Sequence, residues 1–563
     1  MNINYDLLQF FVYKKLIKRK DADEIAALCN KNNMPVEQYL LAKEICTEVE
    51  ELSALAEYYC MPSIEIDMLD IDKNLFSKLT FEFMKKHKVI PVMIDRGGTL
   101  LVACARPLDS AAISALATQF VCPMDFVLVP PSQIDRYVDT IVASISTTSA
   151  LDDLNAEQDD KLLKKNDPLQ AETRKDEDVI NNPAVRLVDS FIKEAIPYGA
   201  SDIHIEPFEK VVKVRYRIDG DLQQRAEFPI ESFSAISARI KIMAGMNIAE
   251  RRVPQDGRIN MIIGGNEYDF RVSSLPTVHG EKFVIRILDK SSFHFTRSDL
   301  GFTEEENVVV DKILAHPHGI VLLTGPTGCG KSTTLYSFLK EVNKPDVNII
   351  TVEDPVEYTM FGVNQTQVNT RANMTFAAAL RSILRQDPDI IMIGEIRDEE
   401  TAQIAVRAAI TGHLVFSTLH TNDAPGAVTR LEDMGVPDYL VSDALIGVVA
   451  QRLVKRLCPA CKKKGKTNPK EMEILGISEP ITIARPQGCQ FCNYTGYKGR
   501  IGVHEIMYVN EPVRETIARD KNIEHLREVS REQGLVTLWQ SCRNYVVKGV
   551  TSIAELMTMN YDQ

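Results

Sequence analysis

The chain has 563 residues, of which 45% are hydrophobic and 25% charged, with a formal net charge of -13 at pH 7. That length exceeds what one hydrophobic core organises and predicts three to four domains of roughly 100 to 200 residues each, while no apolar run approaches the ~20 residues of a membrane span, so any membrane role is peripheral. The negative balance argues against the phosphate backbone of nucleic acid as the main partner, because such binding draws on clustered Lys and Arg.

The opening stretch "MNINYDLLQFFVYKKLIKRK" lacks the basic, apolar and small-residue regions of a secretory signal, so a cytoplasmic location is expected, and the odd count of 11 cysteines is no obstacle in a reducing compartment. Residues 1–60 carry apolar positions at helical spacing and predict a small helical module. Residues 61–146 alternate short β-rich runs, such as "HKVIPVMIDRGGTLLVACARPLD", with a helical stretch, as in a compact α/β domain. Between 147 and 180 acids outnumber bases by ten to five and large apolar residues are few, the composition of a flexible charged linker. Residues 181–290 predict a helix and then alternating strands ("ASDIHIEP", "KVVKVRYRIDG", "YDFRVSSLP", "KFVIRIL") on which arginines recur. From 291 to 454 apolar runs ("GIVLLTG", "VNIITVED", "DIIMIGE", "HLVFSTLHT") alternate with helical segments, the pattern of a parallel-sheet nucleotide domain. A cysteine module at 455–500 and a helical region at 501–563 complete the chain.

The stretch "VLLTGPTGCGKSTTL" matches G-x-x-x-x-G-K-[ST] after an apolar run and before a predicted helix. Such a loop, Gly325, Pro326, Thr327, Gly328, Cys329, Gly330, Lys331, Ser332 and Thr333, turns backbone N–H groups onto phosphates; Lys331 reaches the β- and γ-oxygens and Ser332 can ligand magnesium. Glu395, at the end of "DIIMIGE", is placed to hold that ion or its waters, although glycine rather than aspartate precedes it. Water attack on a γ-phosphate needs a group to orient the water and accept its proton, and "VEDPVEY" supplies Glu353, Asp354 and Glu357, with Glu357 the first choice and Glu353 the second. His413 and His420 in "TGHLVFSTLHTNDA" are candidates for sensing the γ-phosphate. Arg217, Arg271 and Arg286 lie on short strands flanked by apolar residues, so each could either complete the site or pair with acids such as Asp202, Glu206 or Asp219. Cys458, Cys461, Cys489 and Cys492 form two C-x-x-C pairs separated by 27 residues; four thiolates suit a closed, structural zinc site.

These motifs, together with "RYRIDG", "RRVPQDGR", "RQDPDIIMIGEIRDEETA" and "QRLVKRLCPAC", resemble the ATPases of type II secretion and type IV pilus assembly from about residue 181 onward, and more weakly in the preceding α/β domain. The resemblance implies an α/β protein with a RecA-like P-loop ATPase core, a preceding PAS-like α/β domain, a zinc-binding insertion and a small N-terminal α/β regulatory domain. It further implies a homo-hexamer using ATP and Mg2+, with Glu357 as catalytic glutamate, Glu395 as the metal-side acid, His413 or His420 as the conserved histidine, and an arginine crossing from a neighbouring subunit. The zinc tetrad and N-terminal extension point to the extension or secretion branch, acting on an inner-membrane platform protein from the cytoplasmic face. Pilus assembly is the expected function, type II secretion the alternative, and DNA translocation or uptake the weaker rival, with no direct nucleic acid contact expected. Some members bind cyclic di-GMP through an N-terminal Arg-Leu-Gly signature, which "DLLQFFVYKKLIKR" lacks, so that ligand is not expected here.

Overall fold

A computed structural model describes residues 5–141, 183–289 and 295–559, apart from positions 33, 34, 44, 67, 68, 70, 96 and 521. The predicted linker lies outside the described residues. The chain divides into two compact units, Met1–Asn260 with Phe270–Ile287 and Met261–Asp269 with Leu288–Gln563.

In the first unit, the N-terminal helices Tyr5–Tyr13, Ala22–Asn32, Val36–Ala42 and Glu48–Tyr59 precede a three-stranded sheet. The last of them starts on a capping box, in which Thr47 and Glu50 satisfy each other's backbone N–H groups. Strand β1 (Val89–Ile94) runs antiparallel to β2 (Leu100–Cys104), and β2 runs parallel to β3 (Met124–Leu128), with the helix Ser110–Gln119 in the crossover. Leu7, Phe11, Leu40 and Leu55 from the helices share one buried cluster with Val102, Leu116 and Phe120, so the helical module packs on the α/β layer through a common core.

Residues 183–289 begin with the helix Pro183–Ala195 and form a six-stranded sheet in the order β6-β5-β4-β9-β8-β7, with β4 (Ala200–Pro207), β5 (Val211–Ile218), β6 (Asp221–Pro229), β7 (Gln255–Ile263), β8 (Asn266–Thr277) and β9 (Gly280–Asp289). The strict alternation of β5 sets Val212, Val214 and Tyr216 in the interior and leaves Lys213, Arg215 and Arg217 on the other face. Tyr216 Oη donates to the Phe191 carbonyl at 3.0 Å, which fastens the first helix to the buried face.

The second unit is built on a seven-stranded sheet. Its members are β10 (Gly319–Thr324), β11 (Ile349–Glu353), β12 (Val363–Gln367), β13 (Ile390–Ile393), β14 (Leu414–Leu419) and β15 (Leu445–Leu457), joined later by one more strand. Alternate residues feed opposite layers: Leu322, Ile393 and Val415 pack with Leu380, Val406 and Ala409, whereas Val321, Leu323, Met392 and Phe416 pack with Leu335, Phe338 and Leu339. Burial on both faces is why these strands read as continuous apolar runs. A small hairpin of β16 (Lys463–Lys466) and β17 (Thr482–Arg485) follows, and β18 (Tyr497–Tyr508) then returns antiparallel to β15, giving the order β12-β11-β13-β14-β10-β15-β18.

That last strand corrects the expectation of a purely helical segment at 501–563. Residues 501–508 complete the sheet, and only then come the helices Glu511–Arg519, Ile523–Glu532, Leu538–Val547 and Ile553–Thr558. Gly499, Gly502 and the buried polar pair His504 and Glu505 interrupt the apolar pattern that would have announced a strand. Leu526, Tyr545 and Leu556 share the core of the nucleotide domain, so the C-terminal helices extend that domain.

Candidate functional site

The phosphate loop leaves the carboxyl end of β10, between its parallel neighbours β14 and β15, and runs into the helix Lys331–Val342. Loops at the carboxyl ends of parallel strands are where ligands of such sheets sit, and the N–H groups of a helix N-terminus favour an anion. Gly325 has φ +145° and passes so close to β15 that a Cβ there would lie 2.4 Å from the Gln451 carbonyl oxygen; Gly330 takes φ +88° as the residue that opens the helix. Pro326, Thr327, Gly328 and Ser332 are exposed, Thr333 is half-buried, and the Cys329 side chain is buried beneath the loop. Lys331 Nζ donates to the carbonyls of Gly325 and Pro326 at 2.7 and 3.0 Å. Burial lowers its pKa, with the Arg452 charge adding and Cys329 and Glu395 opposing.

Gln451, absent from the sequence-derived candidates, is the support of this loop. Its side chain is 1% exposed, donates through Nε2 to the Cys329 carbonyl at 2.8 Å and accepts from Thr334 Oγ1 at 2.8 Å. The signal was present in "AQRLV", where two polar residues interrupt an otherwise apolar central strand. At the carboxyl end of β10, Thr324 Oγ1 lies 2.5 Å from Thr421 Oγ1 and accepts from the Thr421 N–H at 2.8 Å, tying the loop after β14 to the strand that carries the phosphate loop.

Glu395 stands just past β13, one strand beyond β14, which places it about 10 Å across the sheet from the β10 axis and leaves room for an ion and its waters. Its carboxylate is 2.5 Å from the Arg397 guanidinium and 3.6 Å from His420 Nε2. The two histidines therefore separate. His420 follows β14 at the end shared with the phosphate loop, whereas His413 precedes it, with Gly319 aligned to Leu414 and Thr324 to Leu419. A strand of six residues puts the two histidines about 20 Å apart. His413 Nδ1 lies 2.9 Å from the Ala408 carbonyl, and its own carbonyl accepts from the Gly319 N–H at 3.0 Å, so it closes the far end of the sheet and takes no part in this site.

The carboxylates of "VEDPVEY" also divide. Glu353, 4% exposed, accepts from Tyr336 Oη, from Thr351 Oγ1 at 2.6 Å and from Gln365 Nε2 at 3.0 Å. Burial and the Glu353 charge push the Tyr336 phenol up, which keeps it a donor. Tyr336 Oη also accepts from the Glu357 N–H at 3.3 Å, so Glu353 and Tyr336 together anchor the segment on which half-buried Glu357 is carried.

Arg217 and Arg286 flank Asp202 on neighbouring strands, at 3.9 and 3.1 Å, on the charged face of the six-stranded sheet, and Arg217 also donates to the Gly220 carbonyl at 2.6 Å. Glu206 is held by Arg215 and Lys282 at 2.6 and 2.8 Å. Arg271 lies on the half-exposed side of β8, opposite Tyr268, Phe270 and Val272. Arg286, with 61% of its side chain exposed, keeps most of its surface for another contact.

The four cysteines converge where β15 ends and β18 begins. All four Sγ atoms lie within 4.8 Å of one another, and the pairs Cys458–Cys489, Cys461–Cys492 and Cys489–Cys492 are at 3.8 Å, the edge of a tetrahedron whose centre is about 2.3 Å from each sulfur, the Zn–S distance. Backbone N–H groups of Cys489 and Gly496 point at Cys492 Sγ at 3.2 and 3.1 Å, as suits a thiolate. The donor set and spacing fit zinc.

A family model described as "Type II/IV secretion system protein" matches residues 177–558, and one described as "MshEN domain" matches 59–146. The second begins after the stretch at 6–19 in which the Arg-Leu-Gly signature is missing. The chain is 46% identical over 503 residues to the type II secretion system ATPase E of Vibrio cholerae, an alignment covering 86% of this chain and 97% of that one. It is 40% identical over 524 residues to the type IV pilus assembly ATPase PilB of Myxococcus xanthus, covering 89% of each. Among solved structures, the Legionella pneumophila ATPase DotB superposes with a TM-score of 0.51 at 20% identity, over 67% of this chain and 95% of that one, a likeness of fold.

Proposed function

This chain belongs to the type II/IV secretion system protein family and is an ATP hydrolase, and on that premise we propose that it is the motor that powers assembly of a type IV pilus. The observation that carries the reading is the site itself: a lysine-bearing phosphate loop braced by Gln451, with Glu395 and His420 facing each other across the end of the same sheet. Alignment with the pilus assembly relative over 89% of this chain at 40% identity supports this reading, and alignment with the type II secretion relative over 86% of this chain at 46% identity is the observation behind the second reading, a type II secretion motor.

In this reading the phosphate loop binds Mg-ATP, Lys331 neutralises the phosphates, and Ser332 and Glu395 hold the magnesium ion, which supplies charge neutralisation at the transferred phosphoryl group. Glu357 orients water and takes its proton, while His420 reports on the γ-phosphate. The working form is a homo-hexameric ring, because a lone phosphate loop offers no cation to the outer side of the γ-phosphate and an inserted arginine accelerates such reactions by several orders of magnitude. Arg217, Arg271 and Arg286 are the candidates to cross from the neighbour. Zinc in the cysteine tetrad is structural, with four ligands and no open position. No helix among the described residues is long and apolar enough to cross a membrane, so contact with an inner-membrane platform protein is peripheral in this scheme.

A strain lacking the gene decides between pilus and secretion: loss of surface pili with normal release of exoproteins supports pilus assembly, and the opposite pattern supports type II secretion. Complementation with Lys331→Ala restores neither. For the ring, Lys331→Ala and Arg271→Ala chains are expected to be inactive alone and to regain turnover when mixed. No recovery in rings shown to be mixed assigns the arginine to its own chain.

A further inference from the structure

The loop 420–424 carries His420 to Glu395 at one end, and its other end is held by Arg452, Arg527 and Glu505. Arg452, 6% exposed on β15, donates through Nη2 to the Asn422 carbonyl at 3.1 Å and to Asn422 Oδ1 at 3.3 Å. Asp423 Oδ2 accepts from Arg527 Nε at 2.8 Å, across a sequence separation of 104 residues, while its Oδ1 caps the next helix by accepting from the Gly426 N–H at 3.0 Å. Buried Glu505 on β18 takes the Ala424 N–H at 2.8 Å and the Leu538 N–H at 3.1 Å, linking the loop to the start of another C-terminal helix. A cavity of about 360 Å³ opens beside these contacts, lined by Asn422, Asp423, Arg452, Glu505, Arg527 and Trp539. Ala424 packs in the core of the domain, but side chains do not fill the space beside Asn422 and Asp423, where directional polar contacts hold the loop.

We propose that Asp423, Arg452 and Arg527 are positioning residues for ATP hydrolysis, forming a latch by which the C-terminal helices hold the His420 loop against Glu395. Arg527 belongs to the helix Ile523–Glu532 and shares its charge between Asp423 and Glu524, so a movement of that helix transmits to the loop through one ion pair. Arg452 fixes the neighbouring backbone and, through the Gln451 carbonyl at 3.1 Å, reaches the residue that braces the phosphate loop. The Asp423–Arg527 pair, which makes no contact with the phosphate loop, thus acts on the hydrolysis step and leaves the loop that binds the phosphates in place.

The inference rests on the ATP-hydrolysis reading, and the test separates the two. Asp423→Asn keeps the cap on Gly426 and removes the charge that holds Arg527. Measured on the full-length chain, it is expected to lower kcat about tenfold or more, with KM for Mg-ATP within about threefold of the parent, as befits loss of a charged hydrogen bond felt at the transition state. Arg527→Gln behaves alike, and Arg527→Lys, which can still reach Asp423, recovers part of kcat. Trp539, the only tryptophan of the chain, lines the cavity and reports the open latch as increased quenching by acrylamide. Parental kcat in Asp423→Asn overturns the latch, as does a fall in kcat matched by a rise in KM or by loss of folded protein at the assay temperature. An inactive parent overturns the hydrolysis reading and the latch together, whereas an active parent with an active Asp423→Asn overturns the latch alone.

Discussion

Replacing Glu353 by alanine is expected to unfold the nucleotide domain more readily, whereas replacing Glu357, four residues away, is expected to stop the reaction without that cost. Glu353 is the common acceptor of Tyr336 Oη, Thr351 Oγ1 and Gln365 Nε2 in a site only 4% exposed. Each donor stranded by Glu353→Ala costs about 1 to 3 kcal/mol, and the two hydroxyls recover part of this by rotating. A net loss of about 3 to 5 kcal/mol remains, which for a domain of this size lowers the unfolding midpoint by about 10 °C. Glu357 is half-buried, and its alanine variant is expected to stay within about 0.5 kcal/mol of the parent while losing about a hundredfold or more in turnover, the usual worth of a positioned base. Trp539 packs against the core of this domain, so a thermal scan of its emission follows the relevant transition, and a coupled phosphate-release assay gives the rates. If Glu353→Ala melts with the parent but has lost turnover, or Glu357→Ala hydrolyses ATP at the parental rate, the division of labour between the two carboxylates is refuted.

Gln451→Ala is expected to weaken binding of a fluorescent ATP analogue about tenfold or more, because the Cys329 carbonyl and Thr334 lose their shared partner; unchanged affinity would remove Gln451 from the site. Elemental analysis of protein purified without chelator is expected to find one zinc per chain, and Cys461→Ser to lose both the metal and thermal stability, since the binding energy of such a site is folding energy. In the N-terminal domain, burial pushes the Glu51 carboxyl up to about 8, with Glu37 and Glu48 adding and Arg106 opposing. The folded state then keeps a proton that the unfolded chain releases near pH 4.5, so stability falls as the pH rises from about 4.5 to about 8 and levels off above; Glu51→Gln is expected to flatten that slope in the calorimetric transition of this domain.

The parts of this protein that the sequence determines are those in which one short segment supplies both geometry and chemistry. The phosphate loop needs glycines at fixed offsets, a strand before it and a helix after it, all within residues 319–342. Burial on both faces writes the parallel strands as unbroken apolar runs, and two C-x-x-C pairs declare a tetrathiolate before any fold is known. What the tertiary structure decided was which of several similar residues meet. Two histidines seven positions apart look equivalent in the sequence, yet a six-residue strand between them sends His420 to Glu395 and His413 to the opposite end of the strands. Glu353 and Glu357 carry the same group, and only the convergence of Tyr336, Thr351 and Gln365 makes the first an anchor. Gln451, Arg452 and Arg527 lie 126 to 202 residues beyond Gly325 and act on the site because β15 pairs with β10 and the C-terminal helices fold back upon the same sheet. Local pattern encodes bonds made within a few residues; contacts across such separations depend on strand order and register, which no single segment contains.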